Sequence, residues 1–262
     1  MTNRVISVAS SKGGIGKSTA ALGLSRALAD AGHRVLLADL DFGNACLDIL
    51  GGVEDEVLYT VSDLISGKCE AASAAVKMKE DNLYLLPAPA GGKEDCPDAL
   101  GLADAVRRAS DAVGADYTVL DTGAGVNAAA DAVFGISHTV LVVAGHSPVS
   151  LRAAESTAAR IASLSDAAVK LLINSFDTAN ILKGRGRSRS GMLEIIDRSG
   201  IPLIGVIPYD YRLQISSENP NVDYSEEIVT AFENVAARLA GESVPLFSGM
   251  RKIRKKKKIL FS

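Results

Sequence analysis

The chain has 262 residues, a formal net charge of −3 and a hydrophobic fraction of 47%, which is enough to build the buried core of one α/β domain. No run of eighteen apolar residues occurs, and an apolar strand-like segment begins within the first five residues, so neither a membrane span nor a signal peptide is expected. Three cysteines without close pairing predict a reduced, cytoplasmic protein.

The first strand-like segment, Val5–Ala9, leads into a glycine-rich stretch that ends in Gly-Lys-Ser-Thr and opens a segment with helical spacing. Strand, glycine-rich turn and helix together predict a P-loop, whose backbone N–H groups surround phosphate oxygens at a helix N-terminus. We expect Lys17 to reach the outer phosphates of ATP and the Ser18 hydroxyl to bind Mg²⁺. A flexible glycine loop with incidental lysines is the disfavoured alternative. The predicted nucleotide-binding residues here are Gly13, Gly14, Ile15, Gly16, Lys17, Ser18 and Thr19.

This stretch departs from the ordinary P-loop, because Ser11 stands in place of its first glycine and Lys12 adds a second lysine. The sequence Lys-Gly-Gly-Ile-Gly-Lys-Ser-Thr resembles the deviant Walker A motif of the MinD/ParA family of ATPases. The resemblance implies that Lys12 reaches across a homodimer interface to the nucleotide of the partner. Lys12, Lys17 and a later aspartate, Asp41, are the predicted catalytic residues.

Arg34–Ala38 is predicted as the second strand, and Asp39-Leu40-Asp41-Phe42-Gly43 follows it. Carboxylates at spacing i, i+2 share one face of a strand end, where open α/β sheets bind ligands. The pattern alone also fits a solvated turn, but a neighbouring P-loop favours a role in binding Mg²⁺ and water. It resembles switch I of the family, which implies that Asp39 lies near Mg²⁺ and Asp41 orients the hydrolytic water. Cys46 stands where the family usually has an asparagine.

Tyr117–Asp121 is a hydrophobic strand that ends in a carboxylate, and Thr-Gly-Ala-Gly follows it. Asp121 is predicted to hold Mg²⁺ through water, as a Walker B aspartate does, with Gly123 and Gly125 in switch II. A helix N-cap is the alternative role for a lone strand-end aspartate. The sequence Asp-Thr-Gly-Ala-Gly resembles the corresponding motif in the FlhG branch of the MinD group, the ATPases that regulate flagellar number and placement.

Strand-like runs alternate with helical patterns along the chain, which predicts a doubly wound, mostly parallel sheet with helices on both faces, the fold of a P-loop NTPase. Family resemblance implies that Asn174 and the segment 205–208, which ends in Pro208, recognise adenine, and Asp210 is predicted to bind the nucleotide as well. An amide such as that of Asn174 can pair with both donor and acceptor on the base edge. The basic loop 183–189 contains no aromatic residue, so it can contact nucleic acid only through phosphates, and simple solvation is the favoured reading.

The sequence divides into an ATPase domain, 1–241, and a basic amphipathic tail, 242–262. Residues 251–258 contain seven basic residues and no acidic one, and without them the net charge of −3 becomes −10. An apolar stripe beside basic residues is typical of a helix that lies in the surface of an anionic membrane. A disordered tail and a DNA-binding tail are the alternatives. The predicted membrane residues are Phe247, Met250, Ile253, Lys255, Lys256, Leu260 and Phe261.

Two functions follow from these patterns. The first is a slow ATPase that dimerises with ATP·Mg²⁺, binds reversibly to the inner face of the cell membrane and positions a division site or a flagellum, with an activating protein partner. The second is a ParA-type segregation ATPase that binds nucleic acid non-specifically through the basic loop and the tail.

Overall fold

The computed structural model describes residues 3–10, 12–90, 99–123, 128–176, 199–216 and 223–249. Within these ranges one sheet has the strand order β3-β4-β2-β5-β1-β6-β7-β8. The strands are β1 Arg4–Ala9, β2 Val35–Leu40, β3 Val76–Lys77, β4 Leu83–Leu86, β5 Tyr117–Thr122, β6 Thr139–Ala144, β7 Ala168–Phe176 and β8 Leu203–Pro208. The helices are α1 Lys17–Asp30, α2 Leu47–Gly51, α3 Val61–Ile65, α4 Ala71–Ala74, α5 Ala99–Val113, α6 Ala128–Phe134, α7 Pro148–Leu164, α8 Tyr211–Ser216 and α9 Glu226–Leu239, with a 3-10 turn at Glu54–Glu56.

The sheet is parallel except at one edge, where the two-residue strand β3 runs antiparallel to β4. All six residues of β2 and all six of β5 are buried, as expected for parallel strands that are covered on both faces. Helices α1 and α9 cover one face, and α5, α6 and α7 cover the other. The predicted doubly wound, mostly parallel fold is therefore confirmed, whereas the antiparallel edge strand was not predicted.

Helices α1 and α9 approach each other closely at Gly23, where an added Cβ would collide with the ring of Phe232. Both residues belong to the tightly packed core on that face of the sheet. Gly23→Ala is therefore expected to lower the free energy of unfolding by about 1–3 kcal/mol, measured by urea denaturation. Adding Phe232→Leu as a second change makes room for the methyl group, so the double variant should lose less stability than the two single losses added together. An unchanged urea midpoint for Gly23→Ala would contradict this packing.

The segment that follows α9 is attached to the domain. Arg238 donates three hydrogen bonds to backbone carbonyls, from Nε to Val244 at 2.9 Å, from Nη2 to Pro245 at 2.7 Å and from Nη1 to Ile204 at 2.8 Å. Phe247, predicted to insert into a membrane, is half-buried and packs against the core. Residues 242–249 thus lie against the body of the domain.

The other predicted membrane residues, Met250, Ile253, Lys255, Lys256, Leu260 and Phe261, lie outside the described residues, as does the basic loop 183–189. In the described part of the chain, no helix combines the length and the apolar character needed to cross a bilayer.

Candidate nucleotide-binding site

A cleft of about 900 Å³ lies where the chain leaves the carboxyl ends of the strands, beside the turn between β1 and α1. Its position is the one at which open α/β sheets bind ligands. It brings together predicted residues from four separate parts of the chain. They are Lys12, Gly13, Gly14, Ile15, Gly16, Lys17, Ser18, Thr19, Asp41, Asn174 and Asp210.

The turn between β1 and α1 takes a conformation that needs glycine. Gly14 and Gly16 have φ values of +72° and +85°, in the left-handed region that other residues rarely adopt. A Cβ at Gly16 would also collide with the side-chain amide of Asn174. Gly16 is the N-cap of α1, so the N-terminus of this helix, with its unpaired N–H groups and positive dipole end, faces the cleft. The local geometry is that of an anion-binding turn.

Lys17 is buried, and its ammonium is engaged within its own chain. Its Nζ donates a 2.7 Å hydrogen bond to Oδ1 of Asp121, and it lies 3.7 Å from Oδ2 of Asp41. The first residue of α1 is thus joined to the end of β5, at Asp121, and to the residue that follows β2, Asp41. The predicted phosphate lysine and the predicted Walker B aspartate are in direct contact.

The Asp39 carboxylate is buried and holds the chain that follows it. Oδ1 accepts a 3.0 Å bond from the Asp41 N–H, and Oδ2 accepts 3.0 Å bonds from the N–H groups of Cys46 and Leu47. Burial, followed by the nearby charge of Asp121, raises the pKa of Asp39 to about 7, although these backbone hydrogen bonds lower it. Asp39 therefore connects the end of β2 to the start of α2.

Asp121 pairs with Asp39 in register across the adjacent strands β2 and β5. Burial raises the pKa of Asp121, and the charge of Lys17 opposes that shift. The second carboxylate oxygen of Asp121, Oδ2, is buried and has no hydrogen-bond partner among the described residues.

Of the two glycines predicted to lie in switch II, Gly123 is buried just beyond β5, whereas Gly125 lies outside the described residues.

This arrangement fits a divalent cation. The carboxylates of Asp41 and Asp121 contact the Lys17 ammonium, and Asp39 lies close enough to Asp121 to feel its charge. Three carboxyl groups thus share one ammonium in this region, and an oxygen of Asp121 has no partner among the described residues. Mg²⁺ prefers oxygen ligands and keeps several waters. No group of three or more His, Cys, Asp and Glu residues in the described ranges is arranged to hold a metal by itself. A bound Mg²⁺ would thus depend on water and phosphate oxygens as well, with Ser18 lining the same cleft.

The second lysine, Lys12, differs from Lys17 in its surroundings. Its side chain is exposed at the cleft, and its ammonium makes no ion pair or hydrogen bond to any described residue. Its backbone carbonyl accepts a 2.9 Å bond from the Ser10 hydroxyl. Two lysines five positions apart thus differ within one chain: Lys17 is paired with the buried Asp121 and the partly exposed Asp41, whereas Lys12 is exposed to solvent.

The predicted adenine residues lie at the ends of β7 and β8. The amide Nδ2 of Asn174 donates a 2.8 Å bond to the Ile15 carbonyl, so Asn174 supports the glycine turn, a contact that its sequence neighbourhood does not indicate. Asp210 lines the cleft, and Pro208 is buried at the end of β8. Recognition of adenine by these residues stays a prediction.

Sequence reasoning missed other residues of the cleft. Ser175, with φ of +53°, lies near the end of β7, and Tyr209, which is largely exposed, directly follows β8. Each is the neighbour of a predicted residue, Asn174 or Pro208, and that position was a usable signal. Cys46 also lines the cleft, and burial raises the pKa of its thiol to about 11, although the Ser18 hydroxyl lowers it. The thiol is therefore protonated at neutral pH.

A doubly wound sheet with a glycine turn, a buried lysine and strand-end aspartates at one edge defines a P-loop nucleotide-binding protein. Residues 6–221 match the model of the CobQ/CobB/MinD/ParA nucleotide-binding domain. The chain belongs to this family.

Relatives match over nearly the whole chain. The septum site-determining protein MinD of Synechocystis is 31% identical over 253 residues, covering 95% of this chain and 93% of the relative. The MinD of Thermotoga maritima is 30% identical over 248 residues, covering 92% of this chain and 90% of the relative. Among solved structures, the MinC:MinD cell division protein complex of Aquifex aeolicus superposes with a TM-score of 0.82 at 27% identity, covering 93% of this chain and 98% of that one. The resemblance to the MinD/ParA family is thus confirmed, while the FlhG-like reading stays a prediction.

Proposed function

We propose that this chain is a slow ATPase that dimerises around ATP·Mg²⁺, binds the inner face of the cell membrane and positions the division site. The observation that carries the proposal is the exposed ammonium of Lys12 beside a phosphate-binding turn; this ammonium has no partner among the residues that the structure describes. Relatives that match the chain over most of its length are septum site-determining proteins, which favours the division site over a flagellum.

The residues of the cleft fit different roles in binding and hydrolysing ATP. The N-terminus of α1 and the glycine turn hold the phosphates, and the Lys17 ammonium neutralises charge on the terminal ones. Mg²⁺, when bound, supplies charge neutralisation between phosphate oxygens. Asp39 and Asp121 would hold its water shell, and Asp41, at the rim of the cleft, would orient the attacking water. The described residues that line the cleft include no arginine, so stimulation by a protein partner accounts for fast turnover.

Lys12→Ala tests the dimer. The variant is expected to remain monomeric with a non-hydrolysable ATP analogue, whereas the unmodified chain dimerises, because the Lys12 ammonium has no partner among the described residues of its own chain and is available to the partner's nucleotide. Nucleotide affinity should fall by less than about tenfold, since Lys17 and the glycine turn remain. Light scattering and nucleotide titration measure the two effects. Lys77→Ala, at an exposed lysine on the far edge strand, is the matched control. A dimeric Lys12→Ala protein would contradict the proposal.

The tail is tested with vesicles that contain anionic lipids. Each basic residue near an anionic surface contributes about 1 kcal/mol to binding, so one tail binds weakly. Two tails on one dimer bind more tightly, because the second tail is held close to the surface once the first has bound. Sedimentation with vesicles should therefore increase with the ATP analogue relative to ADP, and Lys255→Glu with Lys256→Glu should reduce it by at least about tenfold. Binding to DNA in place of vesicles would favour the segregation ATPase. Membrane binding unaffected by these changes would remove the tail as the anchor.

A further inference from the structure

A second cavity, of about 580 Å³, lies between α1 and α9, on the face of the sheet that these two helices cover. Three separate parts of the chain line it: the second half of α1, the turn between β3 and β4, and the segment 223–232, which leads into α9. Its volume is in the range of sites that enclose a small molecule. No described residue lines both this cavity and the nucleotide cleft, so the two are separate.

One wall of the cavity is apolar. Gly23 and Ala27 of α1 and Val229 and Phe232 of α9 form it. Gly23 and Ala27 are four positions apart and therefore lie on the same side of their helix. The missing side chain at Gly23 lets the ring of Phe232 lie directly against α1. This wall is suited to the aliphatic part of a ligand, which gains free energy by leaving water.

The opposite wall contains an ion pair with an unused acceptor. Nε of Arg26 lies 2.7 Å from Oε1 of Glu80, although its N–H is not aligned for a hydrogen bond, and each side chain is 21% exposed. The Arg26 guanidinium also lies over the ring of Tyr224, 5.3 Å from its centroid, as a cation–π contact. The other carboxylate oxygen of Glu80, Oε2, is buried and has no hydrogen-bond partner among the described residues. A buried acceptor without a donor is costly, so this oxygen favours a ligand that carries an N–H group.

Carboxylates outnumber cations around the cavity. Besides Glu80, the exposed side chains of Asp30 and Asp223 line it, and neither forms an ion pair with any described residue. The two cations among the described lining residues, Arg26 and Lys79, are both engaged, Arg26 with Glu80. The uncompensated charge is therefore negative, and the cavity attracts a cation in preference to an anion.

We infer that this cavity binds a small aliphatic amine. The ammonium group of the amine donates to the unpartnered oxygen of Glu80 and is attracted by Asp30 and Asp223, while its alkyl chain covers the apolar wall. A metal ion supplies the charge but leaves the apolar wall in water, and a neutral ligand leaves the carboxylates uncompensated. The site shares no described lining residue with the nucleotide cleft, so this inference stands or falls independently of the proposed function.

Calorimetric titration of the nucleotide-free full chain with 1,4-diaminobutane tests the site. At constant ionic strength, one molecule should bind per chain with a Kd below about 1 mM. The diol 1,4-butanediol has the same carbon chain without the charges, and it should bind at least about tenfold more weakly. If the two compounds bind equally, or if the amine shows no saturable binding, the inference is refuted.

Charge-removing substitutions test the residues that are assigned to the site. Glu80→Gln should weaken binding of 1,4-diaminobutane by at least about tenfold. Asp81→Asn makes the same change in charge one residue further on, at a side chain that is 96% exposed and outside the cavity, and should alter the Kd by less than about twofold. Because Glu80→Gln also removes the partner of Arg26, Asp223→Asn gives a second test that leaves this pair intact, with an expected loss of about threefold. Cavity variants that bind as tightly as Asp81→Asn would overturn the assignment.

Amide chemical shifts locate the bound amine. We expect 1,4-diaminobutane to move the resonances of residues 23–30, 79–80 and 223–232 most, and a non-hydrolysable ATP analogue to move those of residues 12–19 most. Amine-induced shifts that are largest at residues 12–19, or that are spread evenly over the acidic residues of the surface, would contradict the site. A chain that binds the amine as described but does not bind the ATP analogue would refute the proposed function and leave this inference standing.

Discussion

Replacing Lys17 by alanine is expected to reduce ATP hydrolysis by at least about 100-fold and to lower the free energy of unfolding of the nucleotide-free protein by about 3–5 kcal/mol. The first effect follows from the loss of the only lysine that is buried within the phosphate-binding turn. The second follows because Asp121, which accepts a 2.7 Å bond from Lys17, would remain buried without its cation. Phosphate release and urea denaturation measure the two losses.

The two effects of this substitution separate in a double-mutant cycle. Asp121→Asn in the Lys17→Ala background removes the uncompensated charge, so much of the lost stability should return while hydrolysis stays low. Lys68→Ala removes a lysine from an exposed pair with Asp63 and should cost less than about 1 kcal/mol. If Lys17→Ala unfolds at the same urea concentration as the unmodified protein, the buried pair does not contribute to stability as the geometry indicates.

The nucleotide-free protein is expected to lose stability as the pH rises from about 4 to 7. Asp39 has a pKa of about 7 in the folded protein, against an ordinary value of 3.8 for an aspartate side chain. Across this window the folded state keeps a proton that the unfolded state has released, so the free energy of unfolding falls with rising pH and levels off above pH 7. The difference of about 3 pKa units corresponds to about 4 kcal/mol, and the raised pKa of Asp121 acts in the same direction.

Urea denaturation at a series of pH values, without nucleotide or Mg²⁺, measures this dependence. In Asp39→Asn the side chain no longer titrates. The fall in the free energy of unfolding between pH 4 and 7 should therefore be smaller by most of the about 4 kcal/mol assigned to Asp39, whatever the absolute stability of the variant. ATP·Mg²⁺ favours the ionised carboxylate and should therefore bind more tightly as the pH rises through the same window. Parallel pH profiles for the two proteins would show that Asp39 is not the titrating group.

Local patterns predicted much of the fold. The predicted strands Val5–Ala9, Arg34–Ala38 and Tyr117–Asp121 match β1, β2 and β5 to within two residues at each end, since an apolar run specifies each one without reference to the rest of the chain. The short elements β3, α2 and α8 were not predicted. With two to six residues each, they contain too little of any period to stand out, and β3 depends on pairing with β4.

The sequence by itself determined the type of site: a glycine turn between strand and helix, with carboxylates at the ends of two strands. Only the tertiary structure decided which of these groups touch. Lys17 meets Asp121 across 104 positions of sequence, Asn174 meets Ile15 across 159, and Phe247 packs against the core although its sequence neighbours resemble a membrane tail. Strand order and register set these contacts, and both depend on how distant segments share one sheet and one core, which a local pattern does not contain.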